Sequence, residues 1–184
     1  MIPDIVELSA DRSDLMEQAA KLLYDSFADL TRAWPDMQAA RDEVLASLDS
    51  DKISRVMADG QGRVLGWVGA MPHYDGHVWE LHPLVVAESH RNRGYGRALV
   101  EDIERIVTAR GALTLWLGSD DEINATSLSG VDLYADIPGA IRNVRNLKGH
   151  PYEFYTRLGF RIVGVMPDAN GRGKPDIFLA KRVG

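Results

Sequence analysis

A short segment rich in arginine and glycine lies between an apolar run and an amphipathic one. It reads Arg91-Asn92-Arg93-Gly94-Tyr95-Gly96 and is followed by Arg97 and Ala98. Glycine has no Cβ, so backbone N–H groups here can approach an anion closely. The first turn of a helix offers unpaired N–H donors and the positive end of the helix dipole. The segment predicts a pyrophosphate site, and a plain helix start with solvated arginines is the alternative.

The spacing of the glycines excludes two common nucleotide-binding motifs. A Rossmann fingerprint needs a third glycine, whereas Arg97, Ala98 and Leu99 follow Gly96. A Walker loop needs Gly-Lys-Ser or Gly-Lys-Thr, and neither follows the segment. If this segment binds a diphosphate, it therefore does so in a fold that uses neither of these motifs.

A carboxylate and an imidazole lie two residues apart in a predicted strand, at Glu80 and His82. Residues two apart point to the same face of a strand, and Val86 has the same parity. A carboxylate in an apolar strand is costly unless it is paired or hydrated. Histidine titrates in a range that suits a general base. The alternatives are a solvent-facing Glu80 and a structural His82.

Three consecutive carboxylates lie at the end of the next predicted strand, at Asp120-Asp121-Glu122. Such a cluster could bind a cationic substrate, and an exposed acidic turn is the alternative. Asp132 and Asp136 are similar candidates. No acidic spacing matches a calcium-binding loop, and the chain has no cysteine, so the sequence predicts no metal.

Composition limits the class of protein. The 184 residues suit one domain, predicted over residues 1–184, and a net charge of −6 argues against general nucleic-acid binding. The same charge is compatible with a cationic substrate, although many proteins are mildly acidic for solubility alone. No apolar run approaches the roughly 20 residues that span a bilayer, and no signal peptide is recognised at the N-terminus. These absences favour a cytoplasmic protein with no membrane partner.

Hydrophobic periodicity predicts one α/β unit with a mixed sheet. The first predicted helix begins after Ser13 or Asp14 and has an apolar face that reaches Leu30, and the second begins after Asp36. The third runs from Tyr95 and is followed by Gly111 as its C-cap, and the others lie at 137–147 and 151–158. The predicted strands are at 3–8, 52–58, 63–71, 77–86, 113–117, 160–166 and 175–182. Hairpins come first and crossovers later, which indicates a mixed sheet. Residues 118–150 form an insertion that is too long for an ordinary connection.

Two motifs, in order, resemble those of the GNAT superfamily of N-acetyltransferases. The first is Arg-x-x-Gly-x-Gly at 91–96, and the second is Phe154-Tyr155-Thr156-Arg157-Leu158-Gly159-Phe160. The resemblance implies the GNAT fold, an α/β arrangement with a mixed, mostly antiparallel central sheet of about six or seven strands. Helices would flank the sheet, and strands 4 and 5 would splay apart. Acetyl-coenzyme A would be the co-substrate.

A narrower resemblance covers most of the chain from about residue 65. Segments 79–86, 118–122, 126–134, 150–155 and 167–176 are similar to the aminoglycoside 6'-N-acetyltransferases. This implies acetyl transfer to the 6'-amine of an aminoglycoside, hence antibiotic resistance, and a homodimer. The rivals are acetylation of a polyamine or a protein amine, and a non-catalytic coenzyme A-binding sensor.

The resemblance assigns catalytic roles to individual residues. The backbone N–H of Leu84 would stabilise the oxyanion, beside a strand bulge that Pro83 also favours. Glu80 would hold the acceptor's ammonium and help to remove its proton, with His82 or water as the other possible base. Tyr155 would protonate the coenzyme A thiolate, and aromatic packing is its alternative role.

The resemblance also implies which residues contact the ligands. Because the chain has no cysteine to carry an acetyl group, direct attack within a ternary complex is the simpler route. The expected acceptor-binding residues are Glu80, Asp120, Asp121 and Glu122. The expected coenzyme A contacts are Leu84, Val85, Val86, Arg91, Asn92, Arg93, Gly94, Tyr95, Gly96, Arg97, Ala98 and Tyr155.

Overall fold

The computed structural model describes residues 3–27 and 33–184. Its contacts cluster in two compact units, Met1–Leu113 with Val183–Gly184, and Thr114–Arg182. The prediction of a single domain over 1–184 stays a prediction. Within the described residues, no helix is both long enough and apolar enough to cross a bilayer.

Four antiparallel strands form the sheet of the first unit. They are β1 (Asp4–Glu7), β2 (Ile53–Ala58), β3 (Val64–His73) and β4 (Val78–Val86), each paired with the next. All four were expected from the sequence, although β3 extends two residues past the predicted end at 71. Consecutive strands pair as hairpins, so this part of the chain needs only local connections.

Among its described residues, the first unit contains three α-helices: α1 (Ser13–Phe27), α2 (Met37–Ala46) and α3 (Tyr95–Ala109). The predicted cap of α2 is confirmed, because the Asp36 carboxylate accepts a hydrogen bond from the Ala39 N–H at 2.9 Å. The predicted apolar face of α1 is buried at Leu15, Ala19 and Leu23. Its last predicted member, Leu30, lies outside the described residues.

The helices of the first unit cover both faces of its sheet. Helices α1 and α2 pack in one apolar cluster with Val56, Trp67 and Val85. The next residue on β2, Arg55, points the other way and pairs with Asp102 of α3 at 2.7 Å. Helix α3 buries one apolar stripe, formed by Leu99, Val100, Ile103 and Val107.

Three strands and two short helices form the second unit. Strand β7 (Asp176–Arg182) pairs antiparallel with both β5 (Thr114–Asp120) and β6 (Arg161–Met166). The helices are α4 (Ile137–Arg142) and α5 (Tyr152–Arg157). Strand β5 extends three residues past its predicted end at 117, and α4 stops before the predicted 147.

The predicted fold class, α/β with mostly antiparallel strands, is confirmed. The described residues form seven strands, and every pairing within each unit is antiparallel. Helices flank the sheet of the first unit, as expected. The predicted splay at strands 4 and 5 stays a prediction.

One buried carboxylate organises the start of the 118–150 insertion. Asp121 is 0% exposed and accepts hydrogen bonds from the Ala125 N–H at 2.6 Å, the Thr126 N–H at 2.8 Å and the Thr126 hydroxyl at 2.7 Å. The Ser129 hydroxyl donates a fourth bond. Burial by itself raises the pKa of Asp121, but these hydrogen bonds outweigh it and hold the pKa below its ordinary value.

Replacing this carboxylate should destabilise the second unit. In Asp121→Asn the amide group presents a donor to groups that are themselves donors, so we expect a loss of about 2–3 kcal/mol of unfolding free energy near pH 7. Denaturant unfolding measures this loss. The half-buried neighbour offers a matched control, and Glu122→Gln should change stability by less than about 0.5 kcal/mol.

The depressed pKa of Asp121 also predicts how the stability loss in Asp121→Asn depends on pH. Because the folded-state pKa of Asp121 is depressed, its contribution is complete above the unfolded value of about 3.9 and is lost as pH falls through the folded value. The difference between the parent protein and Asp121→Asn should therefore shrink below about pH 4. A difference that stays constant down to the acid transition would contradict this account.

Candidate active site

The N-terminus of α3 presents free backbone donors beside an exposed arginine-rich loop. Gly94 caps the helix with a φ of 84° and no side-chain cap hydrogen bond, and Asn92 is also left-handed, with a φ of 61°. The Ala98 N–H donates to the Gly94 carbonyl at 3.0 Å, which begins the helical ladder. The amides of the residues before Ala98 in this first turn therefore have no acceptor within the helix.

The structure is compatible with an anion at this position. A Cβ added to Gly94 would meet no atom within 4 Å, so the backbone there is open to a ligand. The Arg91 side chain is partly used by the loop itself, since its Nε donates to the Val86 carbonyl at 3.2 Å. Arg97 pairs with Glu101 at 3.5 Å on the exposed surface of α3. Arg93 is exposed beside the open amides.

A bulge interrupts β4 where the sequence predicts it. Val68 pairs with Leu84 and Ala70 pairs with Leu81, so Gly69 alone lies opposite both His82 and Pro83. A Cβ added to Gly69 would lie 2.4 Å from the His82 carbonyl oxygen, which is far inside van der Waals contact. The bulge therefore requires glycine at position 69.

Beyond the bulge, the residues of β4 point to the face opposite to the one that simple alternation predicts. Glu80 pairs with Met71, whereas Leu84 pairs with Val68 and Val86 pairs with Gly66. Positions 71 and 68 of β3 differ by an odd number, so Glu80 and Leu84 point to opposite faces. The prediction that Val86 shares a face with Glu80 is wrong, because simple alternation ignores the extra residue.

Two histidine–carboxylate pairs lie on the α1 and α2 side of β4. His73 Nε2 is 2.9 Å from Glu80 Oε2, and His82 Nε2 is 3.7 Å from Glu43 Oε1. The Trp34 indole N–H donates to Glu43 Oε2 at 3.2 Å, and its ring centroid is 5.9 Å from that of His82. Glu80 is thus paired, as a carboxylate in an apolar strand should be.

Three residues of this arrangement were not predicted: His73, Glu43 and Trp34. Glu43 and His82 are 39 positions apart by residue number, and no local motif joins them. Glu43 does precede the buried Val44 on α2, so helical periodicity could have placed it at the edge of the buried face. No signal in the sequence identifies its partner.

In the second unit, Tyr155 lies on α5 among aromatic rings. Its ring centroid is 5.0 Å from that of Phe154 and 5.8 Å from that of Phe160, both edge to face. Burial raises the pKa of the Tyr155 hydroxyl above its ordinary value, so the phenol is protonated at neutral pH. The aromatic packing is real, and the acid role stays a prediction.

The three predicted acceptor carboxylates of the second unit differ in exposure. Asp120 is exposed and accepts a hydrogen bond from the Asn170 side chain, and Glu122 is half-buried. Asp121 is buried, and its carboxylate is occupied by donors of the insertion. Its position gives it a structural role, and contact between any of the three and a substrate stays untested.

No group of three or more histidine, aspartate and glutamate side chains within residues 3–27 and 33–184 is arranged to hold a metal ion. Each of the two pairs beside β4, His73 with Glu80 and His82 with Glu43, contains one imidazole and one carboxylate.

Comparison with known proteins decides the family. The family described as Acetyltransferase (GNAT) matches residues 16–134. The chain belongs to this family. The crystal structure of an aminoglycoside 6'-N-acetyltransferase complexed with coenzyme A has a TM-score of 0.89 and 37% identity, covering 98% of this chain and 97% of its own. The aminoglycoside 6'-N-acetyltransferase of Enterococcus faecium has the same score and coverage at 39% identity.

A curated relative gives a shorter match. A protein named Acetyltransferase from Yersinia pestis (strain Pestoides F) is 32% identical over 83 residues, which are 45% of this chain. The match spans 55% of that relative, or about half of its length. The predicted GNAT resemblance is confirmed by the family match and by the two structures.

The bulge of this GNAT chain can be tested at its glycine. Gly69→Ala places a methyl group against the His82 carbonyl, so we expect β4 to shift and kcat/KM for acetyl transfer to fall by about tenfold or more. Gly164→Ala on β6 is the matched control, because its added Cβ meets only Phe178 at an ordinary 3.6 Å. Equal effects of the two variants would contradict the role of the bulge.

The helix N-terminus can be tested in the same way. Gly94→Ala puts a methyl group into the open space beside the free α3 amides, so we expect roughly tenfold weaker binding of coenzyme A by calorimetry, together with a loss of about 1–2 kcal/mol of stability from the left-handed φ. Gly111→Ala is the control, since Gly111 has a similar φ of 87° just beyond the other end of α3. It should lower stability to a similar degree and leave the affinity unchanged.

Proposed function

We propose that this GNAT protein is an N-acetyltransferase that moves acetyl from acetyl-coenzyme A to a primary amine of a polycationic small molecule. The preferred acceptor is the 6'-amine of an aminoglycoside. The observation that carries the proposal is the likeness to two aminoglycoside 6'-N-acetyltransferases, at 37% and 39% identity over 98% of this chain. Acetylation converts an ammonium into a neutral amide, which would weaken a drug that binds through its charges.

The proposal assigns the donor to the first unit. The co-substrate supplies an acetyl group as a thioester. The open amides of α3 and the arginines of segment 91–98 would hold its diphosphate. The backbone N–H of Leu84, next to the bulge, would donate to the acetyl oxygen, which can contribute on the order of 3 kcal/mol. Val85 and Val86 would continue this contact along β4.

The acceptor amine must lose a proton before it can attack. Glu80 is the proposed ligand of its ammonium, and the proton would pass to Glu80, to His82 or to water. Glu80 is held by a 2.9 Å contact with His73, and His82 Nε2 lies 3.7 Å from Glu43. With no cysteine in the chain, we propose direct attack in one ternary complex.

Tyr155 is the proposed donor of the proton to the departing thiolate. Its raised pKa keeps the hydroxyl protonated, which is the form that an acid needs. The same shift makes the proton harder to release, so the role depends on how the hydroxyl is placed. A homodimer, a cytoplasmic location and Asp120 and Glu122 as acceptor ligands remain part of the proposal.

Substrate choice is tested by acetyl-dependent thiol release. We expect kanamycin- and tobramycin-like substrates to exceed polyamines and lysine peptides in kcat/KM by about 100-fold or more. An aminoglycoside with a hydroxyl at the 6' position is the matched control and should not be acetylated at this site. Turnover of polyamines or peptides alone would overturn the acceptor assignment and leave the transferase intact.

The acid role is tested by Tyr155→Phe. We expect kcat to fall about 10- to 100-fold with little change in the KM for acetyl-coenzyme A, because only the proton is removed. Tyr134→Phe, at an exposed tyrosine of the same unit, is the control and should match the parent enzyme. An unchanged kcat in Tyr155→Phe would show that another group, or water, protonates the thiolate.

A further inference from the structure

A buried imidazole lies between the end of β5 and the start of α5. His150 is 4% exposed, and its Nε2 is 3.1 Å from the Asp120 carbonyl oxygen. Its Nδ1 is 3.1 Å from the backbone nitrogen of Tyr152. A carbonyl can only accept and a backbone N–H can only donate, so Nε2 carries the proton and Nδ1 accepts. The ring is therefore neutral, and both of its nitrogens are used.

The backbone of His150 is fixed as firmly as its ring. The His150 N–H donates to Asn146 Oδ1 at 2.7 Å, and Asn146 Nδ2 donates to the His150 carbonyl at 2.9 Å. Burial lowers the pKa of the imidazole, outweighing the Asp120 carbonyl and the carboxylates of Asp121 and Asp120. The neutral form that this geometry needs is thus the stable one near pH 7.

Helix α5 depends on such an anchor. It has six residues, and a helix this short is not stable by itself. Its cap residue, Pro151, makes no side-chain cap hydrogen bond, and the first amide of the helix, at Tyr152, is satisfied by His150. Tyr155 follows Tyr152 by about one turn. A shift of the first turn therefore moves the Tyr155 ring.

We propose that His150 is a positioning residue for Tyr155. It joins the carbonyl at the end of β5 to the first turn of α5 and so fixes the place of the Tyr155 hydroxyl. It acts through Tyr155 and touches no reacting atom. The inference rests on the proposed function, in which Tyr155 donates the proton.

Three variants separate the contributions of the two hydrogen bonds that the His150 imidazole makes. His150→Asn puts an amide oxygen near Nδ1, so it can still accept from Tyr152. His150→Gln puts an amide nitrogen near Nε2, so it can still donate to Asp120. His150→Ala removes both bonds. We expect kcat to fall about 10- to 100-fold in His150→Ala, with the KM for acetyl-coenzyme A within about twofold.

Rescue by the conservative variants is the sharper readout. His150→Asn should recover most of the lost kcat, because it keeps the bond to α5, and His150→Gln should recover less. A double-mutant cycle with Tyr155→Phe should show that His150→Ala costs only about twofold once the phenol is absent. Fully independent effects would overturn this inference alone. An unaltered kcat in Tyr155→Phe would overturn the acid role and the inference with it.

Two measurements on the ligand-free protein do not depend on activity. The ¹⁵N spectrum of the imidazole should show Nε2 protonated and Nδ1 unprotonated near pH 7. Hydrogen exchange at the Tyr152 amide should be at least about tenfold faster in His150→Gln than in His150→Asn, since one hydrogen bond separates them. If His150→Ala does not fold, the comparison of His150→Gln with His150→Asn still tests the proposal. Equal exchange, or a proton on Nδ1, would overturn the proposal.

Discussion

The pairing of β3 with β4 depends on one glycine that lies opposite two residues. Gly69 has no room for a Cβ, because the His82 carbonyl occupies that space at 2.4 Å. The extra residue of β4 then turns Glu80 and His82 toward α2, and Leu84 and Val86 toward α3. A strand with strict alternation would place all four side chains on one face.

This division separates two kinds of chemistry along one strand. On the α2 side, the groups are carboxylates and imidazoles held in pairs, as in His73 with Glu80. On the α3 side, β4 leads through its last residue, Val86, into the loop whose Arg91 is bonded back to the Val86 carbonyl. The proposed cationic amine and the proposed anionic diphosphate would thus each meet groups of opposite sign, on opposite faces of the same strand.

Local features of the chain were predictable from sequence, and distant pairings were not. A helix start is defined by a few neighbouring residues. The glycines at 94 and 96 therefore predict the start of α3, and Asp36 predicts the start of α2. Pro83 indicated the bulge, because proline lacks a ladder donor, but alternation then gave the wrong face for Val86. Glu43 and His82 meet only through folding, and no period or motif links them.

The role of an acidic residue depends on its burial, which a cluster of charges in the sequence does not reveal. Asp120, Asp121 and Glu122 form one acidic cluster in sequence, yet Asp121 is enclosed and Asp120 is exposed. The alternation of β5 continues to its last residue, Asp120, and the next residue turns inward toward the donors of the insertion. A pattern of charge alone does not contain this difference.

The enclosed carboxylate of Asp121 has a consequence for how such proteins diverge. The insertion is held from within, by bonds to backbone amides and small hydroxyls near its start. The side chains at outer positions such as Val131 and Tyr134 are more than half exposed and take no part in these hydrogen bonds. New side chains can therefore accumulate on the outside of the loop at small cost in folding, and a lineage can alter what the loop meets while keeping how the loop is built.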